Sequence, residues 1–125
     1  MKKLFLILTV MMAVIISSNE AFAQKKAKKV KLSQVEGEFT TKELTLKPGT
    51  YVFEVSNQSV DKEVGFVIAP VTSEGKAGEH IQAGYLAKTI NKGETSSSKE
   101  VNLTKGTYKY FCPMNPTPEY TLVVK

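Results

Sequence analysis

The stretch Thr50–Ser56 places Tyr51, Phe53 and Val55 on one face and Val52, Glu54 and Ser56 on the other, the alternation of a half-buried strand. Lys47-Pro48-Gly49 precedes it as a proline-glycine turn. The same device recurs late in the chain, where Lys105-Gly106 leads into Thr107–Phe111 with Tyr108 and Tyr110 on one face. Two such segments, each entered through a turn, commit the chain to sheet structure, and the similarity of the two reads as shared β chemistry and not as a duplication.

The remaining segments fit this frame. Val30–Leu46 alternates at Val30/Leu32 and again at Leu44/Leu46, with Gly37 as a bend between two strands. After a polar loop over 57–62, the run Val64–Ala69 is apolar on both faces and ends at Pro70, which predicts a central strand covered on both sides. Thr95–Leu103 reads as a more exposed strand and Tyr120–Val124 as the last one. Only 71–93, with Gly75, Gly78, Gly84 and His80, breaks the pattern, and the spacing of Ile81 and Tyr85 predicts an irregular insertion with a short helix near Glu79–Thr89. About seven short strands separated by turns and joined by no strong helix predict an all-β, Greek-key sandwich.

The first residues bear on compartment. Lys2 and Lys3 precede an apolar run from Leu4 to Ile16, and Ala21-Phe22-Ala23 supplies small residues at the spacing a signal peptidase reads. The expected organisation is a secretory signal at 1–23, a basic arm at 24–34 and one domain at 35–125, in a bacterial protein that is periplasmic or secreted and not stably inserted in a membrane. Removing Lys2, Lys3 and Glu20 from 17 basic and 12 acidic residues leaves 15 against 11, a mild balance of +4. Lys25, Lys26, Lys28, Lys29 and Lys31 concentrate it in the arm, without arginine or stacking aromatics, which argues for a solvated segment and against nucleic-acid binding.

Cys112 is the single cysteine, so no internal disulfide staples the domain. It stands where an aromatic strand runs into a loop stiffened by Pro113, Pro116 and Pro118. A thiol there is a small packed apolar group, a link to another chain or a soft metal ligand. Catalysis finds little footing: the acidic residues are scattered among lysines, the one histidine has no nucleophile beside it, and Lys109 is the only cation close to Cys112 in sequence. The sequons at Asn57 and Asn102 would matter only in a eukaryotic secretory pathway.

The order Lys47-Pro48-Gly49-Thr50-Tyr51-Val52-Phe53-Glu54-Val55-Ser56-Asn57, then Val64-Gly65-Phe66-Val67-Ile68, then Gly106-Thr107-Tyr108-Lys109-Tyr110-Phe111-Cys112-Pro113 and a final strand resembles the cupredoxin family, from about Phe39 to Lys125. The resemblance implies a Greek-key sandwich and, in many members, a blue copper held by two imidazoles, one thiolate and a weak axial ligand. Cys112 matches the thiolate. Val64 occupies the place of the first histidine, Asn115 that of the second, and no sulfur stands between Pro118 and Tyr120 where the axial methionine would fall.

One matched ligand predicts a divergent member with a degenerate type 1 site: a binding or accessory domain, not an enzyme, without a resident cofactor, whose partner is another envelope protein or an unidentified ligand. Copper is the alternative. Cys112 and Met114, two apart on extended chain, would project to one side as soft donors for copper(I), with His80 as a third ligand, in a carrier or chaperone. An electron-transfer protein with an atypical ligand set is the other alternative, and one histidine per chain would oblige it to share ligands between copies.

Overall fold

The computed structural model describes residues 27–125; the expected signal at 1–23 and the first residues of the basic arm lie outside them. The described chain forms nine short strands: β1 Lys28–Val35, β2 Glu38–Phe39, β3 Glu43–Leu46, β4 Gly49–Asn57, β5 Val67–Pro70, β6 Thr95–Ser97, β7 Val101–Leu103, β8 Gly106–Phe111 and β9 Tyr120–Val124. One sheet runs β2-β1-β4-β6, with β7 also on β4, and the other runs β3-β9-β8-β5. The chain passes repeatedly between the two sheets, as a Greek-key sandwich requires, and two pairings are parallel: β1 with β4 and β3 with β9.

Alternation sets the inner faces. On β4, Tyr51, Phe53, Val55 and Asn57 are buried, while on β8 and β9 the inward set is Tyr108, Tyr110, Tyr120, Leu122 and Val124. Five aromatic rings meet in the middle of the core. Phe53 lies 5.1 Å from Phe66, and Phe39 stands edge-on to Tyr110 at 5.5 Å and to Tyr120 at 5.8 Å, arrangements that aromatic quadrupoles favour. The two similar turn-and-strand segments share one device: Tyr51 Oη donates to Lys47 O at 2.6 Å and Tyr108 Oη to Thr104 O at 2.8 Å, each bond pinning a strand to the turn before it.

Three sequence expectations need correction. The run Val64–Ala69 is buried, but β5 is an edge strand of its sheet. What covers it is the insertion: Ile81 N–H donates to Ile68 O, and Val64 and Ile90 form an isolated bridge. The helix expected near Glu79–Thr89 is a single 3-10 turn, Gln82–Gly84, because Gly84 lies so close to the sheet that a Cβ there would stand 2.5 Å from Ile68 Cγ2. And β1 takes up much of the segment read as an arm. Lys28, Lys29 and Lys31 are exposed on a strand that pairs with β4 from Lys28 to Gln34, and Lys29 forms a 3.2 Å ion pair with Glu54. Gly37, with φ of 74°, makes the tight turn between β1 and β2 at the expected bend.

Gly84→Ala is therefore expected to destabilise the fold by about 1–3 kcal/mol, since fully buried Ile68 has nowhere to move, as read from the midpoint of urea unfolding. Tyr110 gives a second test. Burial, with Tyr120 and Glu43 adding to it, raises its hydroxyl from the ordinary 10.0 to about 12, and that hydroxyl donates to Thr41 O at 2.7 Å. The folded state thus holds the neutral phenol while the unfolded chain ionises. The stabilisation is complete below pH 10.0 and falls away as pH rises toward about 12. Tyr110→Phe is expected to flatten that alkaline loss of stability while costing about 1 kcal/mol at neutral pH.

Candidate functional site

Beyond β8 the chain turns through residues 112–117 before re-entering the sandwich as β9. The turn closes on itself: Cys112 N–H donates to Thr117 Oγ1 at 2.9 Å, and Thr117 N–H donates back to Cys112 O at 3.4 Å. Cys112, 1% exposed, points inward. Its Sγ accepts two backbone N–H groups, from Gly65 at 3.3 Å and from Asn115 at 3.2 Å. Val64 is fully buried in the same core cluster.

Asn115 is also 1% exposed, and every polar atom of its side chain is engaged. Nδ2 donates to Gln34 Oε1 at 3.0 Å and to Val35 O at 2.9 Å, while Oδ1 accepts from Gly37 N–H at 2.8 Å. Gln34, fully buried, extends the chain of bonds through Nε2 to Gly65 O at 2.7 Å. A closed polar network thus ties the 112–117 turn to the β1–β2 turn and to the segment before β5. Among the described residues no buried side-chain nitrogen or oxygen lacks a partner, which is the condition under which such a network stabilises instead of straining the core.

The sequence-predicted residues differ in burial and surroundings, although the Cys112 and Met114 sulfurs both approach Gly65. Cys112 and Met114 belong to a turn, so the extended-chain premise for a shared direction is not met: Cys112 is buried and Met114 is 40% exposed. His80 lies in the exposed insertion, its Nδ1 2.9 Å from Tyr85 Oη and its ring edge-on to Tyr85 and to Phe111 at 6.0 and 5.9 Å. No group of three or more His, Cys, Asp or Glu able to hold a metal occurs among the described residues. A trigonal copper centre does not fit the donors at this end of the sandwich. Val64 has no donor atom, and the Asn115 amide is fully committed to hydrogen bonds.

Next to the network a groove of about 230 Å³ opens between the insertion and the 112–117 turn. Phe66, Tyr85, Leu86 and Met114 line it, together with Lys88 and Thr89. Gly65 forms its floor: a Cβ there would stand 3.5 Å from Met114 Sδ. Neither Cys112 nor His80 reaches it, although His80 bonds to Tyr85 in its wall.

A model of the cupredoxin-like domain matches residues 5–124. The chain belongs to the cupredoxin-like domain family. Its fold is similar to that of auracyanin A, a "blue" copper protein from Chloroflexus aurantiacus, at TM-score 0.63 and 17% identity over 80% of this chain and 100% of that one. Auracyanin from Roseiflexus castenholzii matches at TM-score 0.57 and 14% identity, over 79% and 98% of the two chains. An azurin from Methylomonas sp. strain J matches at 0.55 and 15%, over 80% and 99%. At these identities the likeness extends to the fold. No curated protein matches in sequence.

Gln34, Gly65 and Thr117 are structural partners of Cys112 and Asn115 that sequence reasoning did not single out. Gln34 did carry a signal, because it continues the inward phase of Val30 and Leu32, where a polar side chain must find a buried partner. Gly65 carried none, since it acts through backbone atoms alone.

Asn115→Ala is expected to leave Gly37 N–H, Gln34 Oε1 and Val35 O without their partner and to lower stability by about 3 kcal/mol in denaturant unfolding. Asn115→Asp is expected to do little better, because a carboxylate has no N–H to give Gln34 Oε1 or Val35 O.

Proposed function

We propose that this cupredoxin-like chain is an exported accessory or binding domain working at the bacterial cell envelope without a type 1 copper centre. The observation that carries the reading is the commitment of Asn115: its amide, in the place where the family resemblance puts an imidazole, is spent entirely on Gln34, Val35 and Gly37. Val64 supports it from the other side, as a packed hydrocarbon with no exposed surface. Cys112 then serves as a small buried group whose sulfur accepts two amide N–H bonds. Its burial also disfavours pairing with a cysteine of another chain. Among the described residues no helix is long and apolar enough to cross a membrane.

The partner in this reading is another envelope protein or a small ligand, and the reading includes no catalytic step. Titration of the reduced protein with copper(II) and copper(I), beside Cys112→Ser and Met114→Ala, tests it. The expected result is no intense thiolate-to-copper charge-transfer band and no stoichiometric uptake of either ion. A blue band lost in Cys112→Ser would restore the electron-transfer reading, while colourless one-to-one copper(I) binding that needs Cys112 and Met114 would establish the carrier.

A further inference from the structure

Among the described residues only two large hydrophobic side chains are exposed, Tyr85 at 43% and Met114 at 40%, and both line the same groove. Scattered exposed apolar residues need no explanation, but two that converge on one concavity, with Phe66 and Leu86 behind them, make a built apolar surface. The structure spends several features on holding it open. Gly84 lets the insertion pack tightly on Ile68, which fixes the residue that follows, and the His80–Tyr85 bond sets the Tyr85 ring. Gly65 leaves the floor free of a side chain.

Lys88 is the one charged residue in the lining. Its side chain is 64% exposed and makes a long ion pair with Glu94 Oε2 at 4.0 Å, while Glu94 Oε1 accepts a 2.8 Å bond from Asn91 N–H, so the ammonium keeps donors free. The other polar lining group, the Thr89 hydroxyl, donates to Glu63, which is not in the lining. The groove therefore offers apolar walls and one cation with spare bonding capacity. Its volume lies below that usual for drug-sized ligands. Met114, which lines the groove together with Tyr85 and Phe66, provides a polarizable, adaptable surface that suits an aromatic or short aliphatic body.

We infer that the groove is a binding site for a small amphiphilic carboxylate, whose hydrocarbon body lies against Phe66, Tyr85, Leu86 and Met114 and whose carboxylate meets the Lys88 ammonium. This rests on the reading of the chain as a binding domain and names the class of ligand. The Lys88 contact is partly solvated, so it contributes selectivity for the anion more than affinity, and the apolar walls supply most of the binding.

The probe is 3-phenylpropionate, titrated into the full chain and followed by the amide resonances of Gly65 and Leu86 and the methyl resonance of Met114, with 3-phenylpropanol as the neutral counterpart. Saturable one-to-one shifts are expected, with affinity about fivefold weaker for the alcohol and for Lys88→Gln. Gly65→Val, which fills the floor, is expected to abolish saturation. Met114→Gln, at an exposed position that the fold tolerates, gives the same direction of change should Gly65→Val fail to fold. Absence of saturable shifts in the wild-type protein overturns the inference, as does equal binding of acid and alcohol. Shifts at these residues that follow protein concentration without probe also overturn it, because a second copy would then fill the groove. Copper uptake is read by absorption on the same samples. Copper bound at Cys112 with carboxylate binding intact would remove the copper-free reading and leave this site, while an unresponsive groove in copper-free protein would do the reverse.

Discussion

The primary amide of Asn115 holds three stretches of chain together. It bonds across 81 residues to Gln34 and across 78 to the Gly37 backbone, and through Gln34 it reaches the Gly65 carbonyl. An amide suits this work because it offers two donors and an acceptor in one plane, and a buried polar group with all its bonds made locks both direction and distance. The position of Gly65 follows from it. So does the approach of the Gly65 N–H to Cys112 Sγ, and so does the open floor of the groove on the far side of the same glycine.

Much of the sandwich was legible because alternation is local. Tyr51, Phe53 and Val55 announce their face from within β4 itself, and the turn at Lys47-Pro48-Gly49 needs no distant partner. The position of β5 was not legible for the same reason. A run buried on both faces reads as central, and nothing in Val64–Ala69 says that one of its covers is a loop. The short 3-10 turn shows the limit differently: the helical spacing of Ile81 and Tyr85 was real, but Gly84 serves contact with Ile68 and not helix continuity.

The site divides along the same line. Cys112 stood out as the single thiol, and Val64 and Asn115 as departures from a copper ligand set, all from sequence position. Which partners Asn115 has could not be read, because they come from β1 and the turn after it and one of them is a backbone carbonyl. The extended-chain premise for Cys112 and Met114 failed for a specific cause, that the bonds between Cys112 and Thr117 curl this stretch into a turn.

The place of β9 has a consequence for how the chain comes to be folded. It lies between β3 and β8, parallel to one and antiparallel to the other, so β3 has no hydrogen-bonded neighbour in its sheet until β9 inserts. Residues 43–46 must wait for residues 121–124, a loop closure that spans most of the described chain. Non-local pairing of this kind slows folding in general. A growing chain would carry β3 unpaired, and β8 with one open edge, until β9 had been made, so this sheet closes only when that strand is available.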